Sequence, residues 1–251
     1  MSRADAGRIF RRLLGAELLK ARSGAVLATM FSFVLTVPLL VVFITGATDD
    51  VDFGDGLAAT RTFLSIGVSG ALGCVFFGSY IVTREDYYRS MDRVFVLGPA
   101  RLVFGAKVAA AAIFGGLFAI LGAAVWTAIS AILVQSRGGE FLVGADALAM
   151  AAGYLVAGVL GAVMGCGVGW VVRNYYLAVL VLLVLPPIIG VPLLSRARDV
   201  ERFLPIGASA GLGGVGIDGL LSPPIAGTVL AGWALLAVLV GWMDLRRRAA
   251  A

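Results

Sequence analysis

The sequence predicts an all-α, polytopic membrane protein, and three observations carry that expectation. Hydrophobic residues fill 60% of the 251 positions and charged residues only 14%, where a soluble domain carries about a quarter charged residues. Six stretches, 23–48, 62–83, 108–136, 147–172, 174–195 and 219–243, contain no Asp, Glu, Lys or Arg. Each exceeds the roughly 20 residues that span a hydrocarbon core, and backbone groups in lipid must be satisfied internally, so these stretches should be helices. Finally, if they cross in alternation, one side collects 15 of the 20 Lys and Arg and the other 5. That asymmetry assigns both termini to the cytoplasm. The acids divide the other way, 6 against 9, with Asp49, Asp50, Asp52 and Asp55 clustered in the first outer loop.

The elements follow in order, within a single domain covering 1–251. "RIFRRLLGAELLKAR" (Arg8–Arg22) sets Ile9, Phe10, Leu13, Leu14 and Leu18 among basic residues at helical spacing. This predicts an amphipathic helix lying on anionic lipid, which also serves as a basic flank for the first span. Span 1 (about 24–46) is expected to be a true span and not a cleaved leader, and Pro38 should kink it. Span 2 (about 62–83) returns inward. Span 3 (about 102–133) is longer than a bilayer needs, so its inner end should project or tilt. Span 4 (147–172) carries Gly153, Ala157, Gly161, Gly165 and Gly169 at intervals of four, a stripe that permits close helix approach. Packing within the chain is favoured over a dimer seam for that stripe.

Arg173 and Asn174 alone separate spans 4 and 5, which predicts a tight hairpin. Span 5 (175–194) contains Pro186, Pro187 and Pro192 and should bend in its outer half. Phe203–Ile217 is apolar and Gly-bearing but too short to cross, which suits a re-entrant element. Phe203, Leu204 and Pro205 are its candidate outer gate, with Leu204 and Pro205 expected to be most buried. Span 6 (225–243) ends in the basic anchor "DLRRR".

Chemistry is sparse. There is no His, and Cys74 and Cys166 lie inside apolar spans, where they read as small packing residues. No span places an ionisable residue near its middle, which lowers the case for an ion-coupled carrier. "GPARLVFGAK" lacks the Gly-Lys-Ser/Thr ending of a phosphate-binding loop. No catalysis, metal or cofactor is therefore expected of this chain, nor any nucleic-acid partner; energy for active transport would come from another polypeptide.

The exception to this apolar character is "TREDYYRSMDRVFVLGPARLVFGAK" (Thr83–Lys107), which holds eight charges. On a helix starting at Glu85, Tyr87, Met91, Val94 and Phe95 share one side. Asp86, Arg89, Asp92 and Arg93 largely occupy the other, and Gly98-Pro99 should end the helix near Leu97. Read from the residues alone, the segment is either a docking helix or a solvated loop on the membrane surface.

Glu85, then Ser90-Met91-Asp92, then "LGPARLVFGAK" resembles the ABC-2 (type 2) family of ABC transporter permeases. Ser90 stands where that family usually has Thr, Gly98 is an extra residue before Pro99, and Arg101 and Lys107 match. "FLPIGASAG" (Phe203–Gly211) resembles the family's aromatic or aliphatic-Pro segment between spans 5 and 6. The amphipathic N-terminal helix, six spans and cytoplasmic termini also fit, so the resemblance covers the chain. It implies a membrane subunit of an exporter, paired with an identical or sibling permease chain and with separate ATPase subunits that bind ATP and Mg. It further implies a cytoplasmic coupling helix of about 85–97, in which Glu85, Tyr87, Tyr88, Arg89, Met91, Asp92, Arg93 and Phe95 contact or position the ATPase. Closure of the ATPase dimer would then move spans 1, 2 and 5. A pathway without charged side chains suits apolar, amphipathic or lipid-linked cargo. The 18 Arg against 2 Lys hint at a GC-rich bacterial gene, and a bacterial cytoplasmic membrane is the expected location. A stand-alone secondary transporter or channel, and a non-transporting scaffold, are the competing readings.

Overall fold

Apolar stretches of this length have to be helical, and the computed structural model is helical throughout. It describes residues 2–22, 25–46 and 51–249, and no strand occurs among them. The helices are α1 (Arg3–Ala21), α2 (Val26–Thr45), α3 (Gly56–Ile66), α4 (Ala71–Tyr87), α5 (Met91–Leu97), α6 (Ala100–Ser136) and α7 (Asp146–Val172). They continue with α8 (Tyr175–Val179), α9 (Leu185–Arg196), α10 (Arg198–Glu201), α11 (Pro205–Leu212) and α12 (Pro223–Ala249). A 3-10 turn at Gly67–Gly70 joins α3 to α4, so these run as one rod, Gly56–Tyr87.

Five rods are long and apolar enough to cross a membrane: Val26–Ile44, Gly56–Tyr87, Ala100–Ser136, Asp146–Val172 and Pro223–Arg248. The sequence leads one to expect six. The difference lies in 175–194, where α8 gives way to a π turn at Leu180–Val184 before α9 begins. Pro186 and Pro187 lack the N–H groups that would bond carbonyls one turn back, so the regular ladder loosens there. The continuous apolar helix Tyr175–Gly190 is shorter than the other five. Pro38, by contrast, sits inside an α2 that continues to Thr45.

α7 is the central helix because its small residues let three neighbours approach at once. Gly161, Gly165 and Gly169 face α4, and a Cβ on Gly165 would lie 1.8 Å from the Val75 carbonyl oxygen. Gly153 meets the Leu212 carbonyl at the end of α11, and Ala157 is buried in the same row. The other faces of α7 pack on α6 and α12. The stripe is thus occupied within the chain, and α4 and α12 have no room to separate from α7 without unpacking it.

The main core runs along these contacts. Phe77 stands edge-on to Phe118 at 4.9 Å and near Phe114 at 5.2 Å, while Phe104 contacts Trp170 at 5.4 Å and Trp242 at 5.3 Å. A second cluster closes one end of the bundle, where the Trp126 indole N–H donates to the Phe63 carbonyl at 2.7 Å. An exposed Arg61–Asp146 ion pair bridges α3 to α7 at that same end. The opposite end gathers α1, the last turn of α4, α5, the start of α6 and the termini of α7 and α12.

Candidate functional site

The charged segment Thr83–Lys107 lies at this second end, and its polarity is divided between a buried network and an exposed face. α4 stops at Tyr87 because the chain turns over Arg89, which takes a left-handed φ of 50°. The Ser90 N–H then bonds back to the Glu85 carbonyl at 2.8 Å and the Arg89 N–H to the Asp86 carbonyl at 3.1 Å. This is a Schellman-type stop with Arg in a place that usually holds Gly. The helix expected from Glu85 to Leu97 is therefore two pieces, with α5 confined to Met91–Leu97. Gly98, in extended conformation, and Pro99 end it as the sequence leads one to expect.

Glu85 does not face solvent. Its Oε1 accepts from Lys20 Nζ at 2.5 Å, and its Oε2 is 2.7 Å from Lys107 Nζ. Glu17 on α1 mirrors it, with Oε1 2.8 Å from Lys20 and Oε2 3.0 Å from Lys107. Two carboxylates and two ammonium groups thus close a neutral ring in which every member contacts both opposite charges. Lys107 is 0% exposed and also donates to the Ile81 carbonyl at 3.1 Å. Burial on this scale is tolerated only when each charge is paired and hydrogen-bonded. Burial alone would raise the Glu17 carboxyl, but the charges of Lys107 and Lys20 and their hydrogen bonds outweigh it and hold the group below its usual value. For Lys20 burial would lower the ammonium, and its bonds to Glu17 and Glu85 reverse this and raise it.

The ring explains how α1 sits. Ile9, Phe10, Leu14 and Leu18 pack on the core, and Leu13 and Glu17 are buried. The apolar face expected to lie in lipid is instead spent on α6 and on the α5–α6 turn, where Ile9 and Leu13 flank Gly98. Arg84 adds a bond from Nη1 to the Lys20 carbonyl at 3.2 Å and stacks over Tyr80 at 5.5 Å. A second network joins α7 to α12: Arg248 Nε lies 2.9 Å from Asp244 Oδ2, and Arg173 Nη2 lies 3.8 Å from it.

α5 roots itself in this end by Met91 and Val94, both buried, and by Phe95, whose ring is 6.5 Å from Trp170. Asp92 and Arg93 are exposed, as are Arg89, Tyr87 and Tyr88. Tyr87 contacts Tyr88 at 5.1 Å and also Tyr175 and Tyr176 at the start of α8. Two exposed apolar residues complete the outward face, Val96 at 85% and Leu97 at 63%. The sequence reading named neither, because a seven-residue helix has too few turns for periodicity to assign its faces.

At the other end, Phe203 is exposed and Leu204 and Pro205 are half-buried. Their expected depth is corrected: Gly207, Ala208, Ala210, Gly211 and Leu212 are the buried members, since α11 packs by its small residues against α12 and α7. The segment is tied to α12, where Trp233 Nε1 donates to the Phe203 carbonyl at 2.8 Å, about 15 Å along that helix from its start. Glu201, two residues before Phe203, is also buried, against Gly190 of α9 and Gly207 of α11. The sequence missed this because 201 falls outside every charge-free stretch.

Glu17 and Lys20 were also missed, and Lys107, singled out in the charged segment, was not expected to be buried in a ring. The i,i+3 spacing of Glu17 and Lys20 was the available local signal; their pairing with residues 65 and more positions away was not. Among the described residues, no three His, Cys, Asp or Glu side chains converge on a metal-sized site; what the end of the bundle presents is a buried charged base beside a small helix with an exposed face. A scan against protein-family models and searches of curated proteins and of solved structures return no match.

Proposed function

We propose that this chain is the membrane subunit of an ABC-2-type transporter, driven by a separate ATPase that docks on α5. The observation that carries the reading is the construction of that end. α5 exposes Asp92, Arg93, Val96 and Leu97 while Met91, Val94 and Phe95 root it, and the neighbouring ring ties α1, α4 and α6 into one base. A push on α5 would therefore reach three rods together. In this proposal α8 and α9 form a sixth, irregular crossing, and both termini face the cytoplasm of a bacterial cell. The 15-to-5 distribution of basic residues supports that orientation. Two permease chains, identical or sibling, would enclose a path for apolar, amphipathic or lipid-linked cargo, probed outward by the α10–α11 segment. ATP and Mg would be bound by the ATPase alone.

The test is coexpression with candidate ATP-binding-cassette proteins from the same genome. Replacing residues 91–97 by Gly and Ser should abolish copurification of the ATPase while membrane insertion persists. Undiminished copurification and ATP-driven transport would refute the proposal. A stand-alone carrier is the competing reading, favoured by the buried carboxylate of Glu201; transport without any ATPase would establish it.

A further inference from the structure

The turn between α10 and α11 contains an ionisable group that the account so far leaves without a role. Glu201 ends α10, is 1% exposed, and neither carboxylate oxygen has a hydrogen-bond partner. It is wedged between two neighbouring elements. A Cβ on Gly190 of α9 would lie 3.1 Å from Glu201 Oε1, and a Cβ on Gly207 of α11 would lie 2.2 Å from the Glu201 carbonyl oxygen. The carboxylate therefore rests against the α9 backbone, with no space on that side for a coordinated cation.

Among the described side chains, few charges face it. Arg202 pairs with Asp199 at 3.3 Å and lies over the Phe203 ring at 5.1 Å. Arg196, at the end of α9, is exposed. α11 has no titratable side chain, and those of α12, Asp244, Arg246, Arg247 and Arg248, stand at the opposite end of the bundle. The Gly207 backbone N–H, in the first turn of α11, bears on the carboxylate without completing a hydrogen bond to either oxygen. Burial pushes the Glu201 carboxyl up, and the Gly207 N–H opposes this more weakly. A buried, unpaired carboxylate is relieved most simply by taking a proton.

We infer that Glu201 is a proton-binding site that latches the α10–α11 hairpin against α9. The neutral acid fits the wedge between Gly190 and Gly207. Loss of its proton to solution leaves a carboxylate that has to draw water to itself, which lifts the hairpin away from α9. The hairpin is closed at low pH and loosens as pH rises. This inference rests on the fold and holds whether or not an ATPase drives the chain.

Ala208, fully buried on α11, is the reporter. In protein reconstituted into liposomes, Ala208→Cys is labelled with a membrane-impermeant maleimide across a pH series. Each rate is divided by that of exposed Ser222→Cys, which removes the pH dependence of the reagent and of an ordinary thiol, and the Glu201→Gln background shows what the buried thiol itself contributes. The ratio should rise with pH in the otherwise native chain and stay low and flat with Glu201→Gln, a neutral isostere of the acid. Difference infrared spectra should show a carboxylic-acid C=O band at a pH where ordinary carboxylates are ionised, and Glu201→Gln should abolish it. A flat ratio in the native background, a pH response that survives Glu201→Gln, or no such band would overturn the inference. So would failure of the Gln variant to fold, since a neutral group is what the wedge is held to accept.

Discussion

Lys107 is the residue on which most of the charged end depends. It sits two turns inside α6, sealed from solvent, between Glu17 and Glu85. Lys107→Met would leave two buried carboxylates sharing Lys20. Breaking a buried pair in this way typically costs about 3–5 kcal/mol, against about 0–1 kcal/mol for the exposed Arg61–Asp146 pair. Thermal unfolding in detergent should therefore separate Lys107→Met from Arg61→Ala by a wide margin, with Lys107→Met/Glu85→Gln recovering part of the loss, because it leaves Glu17 paired with Lys20 and no surplus buried carboxylate. Equal stability of the two single variants would mean that the ring does not form. The ring also sets a pH window for α1. Glu17 is held low, so its contribution is complete above its usual value of 4.5 and is lost as pH falls below that. Lys20 is held high, so its contribution is complete below 10.5 and is lost as pH rises beyond it. Hydrogen exchange of α1 amides should be slowest between those limits and accelerate on both sides. The sequence showed that Thr83–Lys107 was anomalous and that Glu85 and Lys107 belonged to it. It could not show that they meet, because ring closure depends on α1 arriving from 65 and more residues away.

At the scale of elements, what the sequence carried best was helix length, which follows directly from the thickness of hydrocarbon. Five of the charge-free stretches correspond to rods of spanning length, and the sixth departs because three prolines act on the hydrogen-bond ladder and not on hydropathy. The Gly stripe of α7 was also visible, though its partners were not: α4 takes Gly161, Gly165 and Gly169, and α11 takes Gly153. Gly165→Val should consequently cost at least the roughly 1–3 kcal/mol of core overpacking, since even a Cβ there would lie 1.8 Å from the Val75 carbonyl oxygen. The exposed Gly232 of α12, where a Cβ meets nothing within 4 Å, is the matched control. Folded yield and melting temperature of the two variants decide the point, and equal values would contradict the close α4–α7 packing. For α5, the sequence reading gave its end at Gly98-Pro99 but not its start, because nothing in Tyr88-Arg89 announces a left-handed turn without glycine.

For the whole molecule, the proposal joins an exposed helix to a rigid base. Residues 91–97 are held at the end of the bundle where α1, α4, α6, α7 and α12 meet, so the outward face of α5 is presented on a platform bound by ion pairs and aromatic contacts. The exposed aliphatic residues Val96 and Leu97 extend the set of docking candidates beyond the charged and aromatic residues read from sequence. The most direct measurement is site-specific photo-crosslinking from Leu97 in membranes containing a coexpressed candidate ATP-binding-cassette protein, with exposed Leu236 of α12 as the control position. The account predicts an adduct between Leu97 and the ATPase that Leu236 does not give. Adducts from Leu97 only to lipid or to this chain itself, with the ATPase present and folded, would contradict it.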